Sequence, residues 1–83
     1  MYKQTVYVDK VENEFTFLTQ FSEIFLKIIY TADDRKFNKK TKTWFVHEDS
    51  APSIVKKLRI NGFELELTSR ASHALNPHDV LFL

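Results

Sequence analysis

Apolar residues recur along this chain with two different periods, and the order of these periods predicts its fold class. Alternation of apolar and polar residues indicates strands near residues 2–8 and 13–18. These strands form a hairpin through Asp9–Glu12 or, alternatively, the first is an edge strand added to a core that begins at the second. The clearest alternation, at Phe63–Thr68, predicts the last strand.

A helical period over residues 20–32 predicts the first helix, with Thr19 placed to cap its first turn. Its expected buried stripe comprises Phe21, Ile24, Phe25, Ile28, Ile29 and Ala32. Leu26 and Tyr30 fall on the opposite side. A helix that is apolar nearly all round is buried on two sides or docks a partner. The second stripe is therefore either covered by the N-terminal strand or the C-terminal tail, or it is a partner or homodimer interface.

Residues 33–49 predict a β-hairpin whose strands contain Lys36–Phe37 and Thr43–Val46. Asn38 is suited to start the turn, because its side chain can accept hydrogen bonds from backbone N–H groups further along. The connection contains no glycine, which favours a loop of four or five residues built on a type I turn.

The second helix is predicted over residues 51–61 by the residues at its two ends. Ser50 is a suitable N-cap, and Pro52 falls in the first turn, where its missing N–H does no harm. Gly62, the single glycine of the chain, falls where the helix end favours a left-handed residue. The expected buried face comprises Ala51, Ile54, Val55 and Leu58.

The order β-β-α-β-β-α-β predicts the α+β class: a small sheet of four to five strands with two helices on one face, as in split βαβ arrangements. At 83 residues the chain is expected to form a single domain over 1–83 with one small core. Residues 69–83 are predicted to be an irregular tail, in which Val80–Leu83 form a short strand or an apolar plug.

Several kinds of chemistry are excluded or disfavoured by composition. The chain has no cysteine, which excludes disulfides, thiolate metal sites and thiol catalysis, and its single glycine excludes glycine-rich phosphate loops. His73, His78 and Asp79 lack a helical spacing for metal ligands, and helix capping explains the acids after His47. We therefore expect a protein with no metal, no cofactor and no enzymatic activity.

The chain also lacks the features of a membrane or secreted protein. No apolar stretch approaches the roughly 20 residues that span a bilayer. The first ten residues contain no apolar core of a signal peptide. Together with the lack of cysteine, this predicts no membrane partner and a cytoplasmic or nuclear location.

The net charge of +1 hides an uneven distribution of charge. Residues 1–34 carry a net −3, residues 35–59 a net +6 and residues 60–83 a net −2. A basic sector between acidic flanks creates a directional field that steers polyanions. The alternative is a solvated hairpin, since lysine commonly protects exposed strands. The cations of the sector are Arg35, Lys36, Lys39, Lys40, Lys42, Lys56, Lys57 and Arg59.

The segment Arg35–Trp44 is the most informative part of this sector. It contains five cations, two aromatic residues and no acid. Cations at a turn reach phosphates, and an aromatic ring on the adjoining strand can stack on an unpaired base or brace the hairpin. Trp44 is thus either a core residue or a stacking platform.

The middle of the chain carries basic, aromatic and turn residues at defined spacings: Arg35-Lys36-Phe37-Asn38, Lys42-x-Trp44-x-Val46, a helix ending near Leu58, and Gly62-Phe63-x-Leu65. This pattern resembles the small accessory module of superfamily 2 helicases. Such modules include the domain of HARP-type annealing helicases, the damage-recognition domain of the archaeal repair helicase and the N-terminal domain of a phage recombination helicase. The resemblance covers residues 15–67 approximately. It implies that Arg35, Lys36, Lys39, Lys40 and Lys42 face DNA and that Trp44 braces the hairpin.

The predicted function is therefore a nucleic-acid-binding accessory module, with DNA favoured, that acts through the basic aromatic hairpin. The second helix adds Lys56, Lys57 and Arg59 to the predicted surface. If five or six cations met phosphates, log K would fall with log salt at a slope of about −4 to −5. The alternative is a small protein-binding regulator, such as a phage-type inhibitor of a host complex, that docks through Leu26 and Tyr30.

Overall fold

The computed structural model describes residues 4–75, which form a five-stranded sheet and three helices. The elements are β1 (Thr5–Val11), β2 (Glu14–Leu18), α1 (Glu23–Ile29), β3 (Lys36–Asn38), β4 (Thr43–His47), α2 (Ala51–Ile60), β5 (Glu64–Leu67) and α3 (Ser69–Ala74). The strand order is β3-β4-β2-β1-β5, with β1 and β5 parallel and all other neighbours antiparallel. The predicted α+β class is confirmed, whereas the expectations for Val80–Leu83, His78 and Asp79 lie outside the described residues.

One apolar core lies between α1, α2 and the inner face of the sheet. Within each strand, every second side chain faces this core, because successive side chains of a strand point to opposite faces of the sheet. α1 and α2 supply the other side. Ala71 of α3 is buried in the same core. The other strand and helix residues buried in it are Val6, Val8, Phe15, Phe17, Val46, Phe25, Ile28, Ile29, Ala51, Ile54, Val55 and Leu58.

The first two strands form the predicted hairpin, although its turn is shorter and later than expected. Val11 pairs with Glu14, which leaves a turn of Glu12 and Asn13, and Glu12 adopts a left-handed φ of 56°. β1 lies between β2 and β5, so the alternative of an added edge strand is wrong. Residues beyond Asp9 continue the ladder instead of turning.

α1 begins later than predicted because a different residue caps it. The Ser22 hydroxyl accepts a hydrogen bond from the Phe25 backbone N–H at 3.2 Å, which is the geometry of an N-cap. Thr19, predicted as the cap, instead donates its hydroxyl hydrogen bond to the Thr5 carbonyl at 2.8 Å. The helix therefore starts at Glu23 rather than near residue 20.

This shift exposes two residues of the predicted buried stripe. Phe21 precedes the helix and is 80% exposed, and Ile24 is 54% exposed. The prediction of their burial is wrong, because Phe21 lies outside the helix and Ile24 lies about 100° around the helix from Phe25, at the edge of the buried stripe. Phe25, Ile28, Ile29 and Ala32 are buried as predicted.

α2 ends as predicted, within one residue. Gly62 has a φ of 88°, its N–H donates to the Arg59 carbonyl, and the Phe63 N–H donates to the Leu58 carbonyl, each at 3.0 Å. These two bonds are the pattern of a Schellman motif. Phe63 then packs edge-on against Phe25, with ring centroids 6.3 Å apart. Ser50 precedes α2 but makes no side-chain capping bond.

The prediction of an irregular tail is wrong for Ser69–Ala74, which forms α3. The Thr68 hydroxyl caps this helix by accepting from the Ala71 N–H at 3.2 Å and also donates to Asp9 Oδ1 at 2.6 Å. Arg70 pairs with Asp9 Oδ2 at 2.8 Å. The hydrogen bonds from Thr68 and from the Lys10 backbone N–H, together with Arg70, lower the pKa of Asp9 below its usual value.

Candidate nucleic-acid interface

The β3–β4 hairpin has the four-residue loop predicted, Lys39–Lys42. Asn38 Oδ1 accepts hydrogen bonds from the backbone N–H groups of Lys40 at 2.9 Å and Thr41 at 3.2 Å. This confirms that Asn38 starts the turn. Lys42 closes the loop with a left-handed φ of 58°.

Three aromatic rings form a cluster on the inner face of this hairpin. Phe37 pairs with Trp44 across the strands, and their ring centroids are 4.7 Å apart at 43°. Tyr30 approaches Trp44 from the end of α1 at 5.8 Å, edge to face. Trp44 also packs against the core and is half-buried, so it belongs to both the core and the surface cluster.

Tyr30 and Leu26, the predicted partner stripe, lie against this hairpin. Leu26 is half-buried and packs on the core, whereas Tyr30 is 54% exposed with its ring on Trp44. Within residues 4–75 the aromatic partner of Tyr30 is Trp44 of β4 rather than a residue of β1. The alternative of a cover from the C-terminal tail lies in part outside the described residues. The two residues do not form one free apolar stripe.

Several predicted phosphate-binding cations already have structural partners. Arg35 donates through Nη1 to the Ala32 carbonyl at 3.1 Å and lies over the Tyr30 ring at 4.1 Å. Lys57 donates through Nζ to Thr31 Oγ1 at 3.1 Å. Both cations thus bind the segment that follows α1, where the negative end of the helix dipole favours positive charge.

Lys36 also has a partner, and it points away from the aromatic cluster. Its Nζ lies 3.1 Å from Glu14 Oε2. Because Lys36 and Phe37 are neighbours in a strand, their side chains lie on opposite faces of the sheet. Lys36 therefore belongs to the outer face.

The two remaining helix cations are placed apart from the hairpin tip. Arg59 follows Lys57 by two residues, which is about 200° around the helix. The two side chains therefore lie on opposite sides of α2. Its Nε atom is buried and has no hydrogen-bond partner within residues 4–75. Lys56 is exposed.

Three lysines remain available at the tip of the hairpin. In the part of the chain that the structure describes, the side chains of Lys39, Lys40 and Lys42 make no ion pair and no hydrogen bond. All three are exposed. The sequence predicted these residues correctly as a surface cluster, but it could not separate them from cations that are engaged in the fold.

A groove of about 370 Å³ opens beside these lysines, between the hairpin and the start of α1. Sequence reasoning missed it, because it placed Phe21 in the core. The one available signal was Ser22 followed by Glu23, a better helix start than Thr19. The residues that line the groove are Thr19, Gln20, Phe21, Ser22, Phe25, Leu26, Phe37, Lys42 and Trp44.

Metal-ligand clusters and membrane-spanning helices are both absent from residues 4–75. Residues 4–75 contain no group of three histidine or acidic residues arranged to hold a metal ion. His47 accepts a hydrogen bond at Nδ1 from the Asp49 backbone N–H at 3.1 Å, which is a local turn contact. None of the helices described is long and apolar enough to cross a membrane.

No protein-family model, curated protein or solved structure matches this chain. The similarity to helicase accessory modules accordingly depends on the sequence motifs. The function is best argued from the surface of the hairpin itself.

Proposed function

We propose that this protein is a non-enzymatic nucleic-acid-binding module, with DNA favoured, that binds through the tip of the β3–β4 hairpin. The observation that carries the proposal is a set of three lysines without a side-chain partner in residues 4–75, Lys39, Lys40 and Lys42, beside the half-buried Trp44. A phosphate can bind such a lysine without displacing an acidic side chain of the protein. Aromatic rings next to such cations are the usual footprint of nucleic-acid contact.

The contacts of the other cations reduce the expected number of phosphate contacts. Arg35 and Lys57 bind the end of α1, and Lys36 pairs with Glu14. If the three tip lysines make the contacts, log K falls with log salt at a slope of about −2 to −3. This is roughly half the slope expected when five or six cations contact phosphates.

The proposal is tested with fluorescently labelled single-stranded, duplex and forked DNA and with single-stranded RNA of equal length. Binding anisotropy is measured from low to moderate salt for the full chain. Lys40→Gln is compared with Lys27→Gln, a matched control on α1, because both lysines are exposed and both substitutions remove one charge. We expect Lys40→Gln to reduce the salt slope by about one and Lys27→Gln to leave it unchanged. Equal effects of the two variants would show that only net charge matters.

A second candidate is the protein-binding regulator, which the exposure of Ile24 favours. This residue lies on α1 beside Gln4 and Phe63, at a shallow depression away from the lysines. Capture of one stoichiometric protein by the wild-type chain under nuclease treatment, and its loss in Ile24→Ser, would support this candidate. Retention of the same protein by Ile24→Ser would reject it.

A further inference from the structure

The groove beside the hairpin tip has aromatic walls and a single cation, and this combination defines what it can bind. Phe21 lies on one side, and Phe37 and Trp44 lie on the other, with Lys42 among the lining residues. Its volume of about 370 Å³ lies within the range of small-ligand sites. We propose that the groove holds one unpaired nucleobase of a single-stranded nucleic acid, with the neighbouring phosphate on Lys42. This inference rests on the proposed function.

The hairpin wall of the groove is preformed. Trp44 is held between Phe37 at 4.7 Å and Tyr30 at 5.8 Å, and Arg35 lies on the far face of this cluster over the Tyr30 ring. A ring held by contacts on several sides loses little freedom when a ligand stacks on it. Phe37 is 42% exposed, which leaves ring surface available on the groove side.

The opposite wall is also fixed in place, although Phe21 itself is 80% exposed. Gln4 Nε2 donates to Thr19 Oγ1 at 2.8 Å and to the Gln20 carbonyl at 2.7 Å, which anchors the chain just before Phe21. Ser22 anchors it just after, by capping α1. The ring of Phe21 is therefore held outside the core by a fixed backbone, where a ligand can contact it.

The charge of the groove favours a nucleotide over an apolar peptide. Of the nine described residues that line it, Lys42 is basic and none is acidic. An apolar side chain from a protein would leave Lys42 without a counter-charge, whereas a nucleotide supplies a flat ring for the walls and a phosphate for the lysine. Lys39 and Lys40 continue the positive charge along the loop toward the next phosphates.

The geometry also predicts a preference for unpaired bases. A base inside a duplex is covered on both faces by its neighbours, so entry into the groove requires it to be unstacked and unpaired. A single strand presents its bases without that cost. The hairpin lysines alone would bind both forms, because phosphates are common to both.

The test uses Trp44, the only tryptophan of the chain, as a built-in reporter. The full chain is titrated with a thymidine oligomer of about ten nucleotides, a length within the site sizes of single-strand binders. The matched control is an oligomer of the same length that carries abasic sites, which keeps the phosphates and removes the bases. We expect the thymidine oligomer to bind about tenfold more tightly and to change the fluorescence of Trp44, and the abasic oligomer to leave it unchanged.

Two variants assign the binding to the groove. Phe21→Ala removes a ring that is mostly exposed, so the fold is expected to survive, and Ile24→Ala is the control because this residue lies on α1 outside the groove. Phe21→Ala should weaken binding of the thymidine oligomer about tenfold and leave the abasic oligomer unaffected. Ile24→Ala should bind both as the wild type does.

The outcomes separate this inference from the proposed function. Equal affinity for the thymidine and abasic oligomers, with Phe21→Ala unchanged, would overturn the base-binding groove and leave the lysine surface in place. Failure of the chain to bind either oligomer at low salt would overturn both. A change in Trp44 fluorescence with an apolar helical peptide but with neither oligomer would also overturn the inference and assign the groove to a protein.

Discussion

The sheet contains two hairpins that differ in the pairing of their charged side chains and in the burial of their phenylalanine rings. In the β1–β2 hairpin the turn is two residues long, and the charges beside it are paired: Lys10 lies 3.3 Å from Glu48, and Asp9 lies 2.8 Å from Arg70. In the β3–β4 hairpin the turn is four residues long and carries lysines without partners in the described residues.

The phenylalanine residues of β2 and β3 also differ in exposure. Phe15 and Phe17 of β2 are buried, whereas Phe37 of β3 is 42% exposed. Charges that are paired and rings that are buried stabilise the fold. The free charges and exposed rings of the β3–β4 hairpin do little for stability, and they are available to a ligand. From this difference we expect the β1–β2 hairpin to contribute more to stability, and we propose the β3–β4 hairpin for binding.

The largest expected effect comes from truncating one ring in each hairpin. Phe17 and Phe37 both neighbour Trp44 across the sheet, one on each side of it. We expect Phe17→Ala to reduce the free energy of unfolding by about 3–5 kcal/mol, since it leaves a cavity in the core. Phe37→Ala should cost about 1 kcal/mol or less, since its ring is partly in water. Urea denaturation followed by circular dichroism measures both; similar losses would contradict the division of roles.

The next effect concerns binding rather than stability. Replacing two of the three tip lysines, Lys39 and Lys40, by glutamine is expected to reduce the slope of log K against log salt by about two and to leave the unfolding free energy unchanged. The contrast is Lys10→Gln, which removes a paired charge of the other hairpin. Salt titrations that show the same loss of slope for Lys10→Gln would contradict a binding role specific to the β3–β4 hairpin.

A smaller effect is expected at the turn itself. Asn38→Ala removes the acceptor of two backbone hydrogen bonds that shape the lysine loop. We expect a loss of about 1 kcal/mol in unfolding free energy, together with weaker binding of the oligomer. Asn38→Asp keeps an acceptor oxygen and should restore the stability. An unchanged melting curve for Asn38→Ala would show that the loop is shaped by other contacts.

The smallest effect is a pH dependence that belongs to the β1–β2 hairpin. Because the folded state lowers the pKa of Asp9, the unfolded state binds the proton more tightly, and Asp9 stabilises the fold only while it is ionised. This stability is present above the unfolded pKa of about 3.9 and is lost as pH falls through the lower folded pKa.

Asp9→Asn removes this titration. Thermal melts of the variant between pH 2 and pH 6, approximately the span of carboxylate titration, should depend less on pH than those of the wild type. Arg70→Gln should weaken the dependence as well, because Arg70 is one of the groups that hold the pKa down. A pH profile that is identical in Asp9→Asn and wild type would remove Asp9 as its source.

The parts of the fold that were predictable have local causes. Gly62 marks a helix end because glycine adopts a left-handed φ at less cost than residues with a Cβ, and Asn38 marks a turn because its side chain reaches the next N–H groups. The alternation of apolar and polar residues in a strand is visible within a short stretch of sequence. The order of strands and helices therefore followed from the sequence.

The errors arose where two local signals compete or where the decisive contact is distant in sequence. Thr19 and Ser22 are both good caps, and the choice between them is settled by Thr5, whose carbonyl takes the Thr19 hydroxyl. α3 lacks a strong apolar period, and it is held by contacts of Thr68 and Arg70 with Asp9 from the other end of the chain.

The candidate site also has one part that was predictable from local sequence and another that depends on contacts between distant residues. The lysine loop is continuous in sequence and was predicted as a cluster. The groove joins Phe21 to Lys42 and Trp44 across two elements. Neither the groove nor the engagement of Arg35 and Lys57 by the end of α1 is visible until the chain is folded.

The most direct test of the central claim is the salt dependence of binding by the β3–β4 hairpin. The dissociation constant for a labelled single-stranded oligomer is measured at several salt concentrations for the wild type and for the Lys39→Gln/Lys40→Gln variant. The account predicts a wild-type slope of about −2 to −3 that falls to about −1 or less in the variant. A wild-type chain that does not bind at low salt, or a slope that the double substitution leaves unchanged, would contradict it.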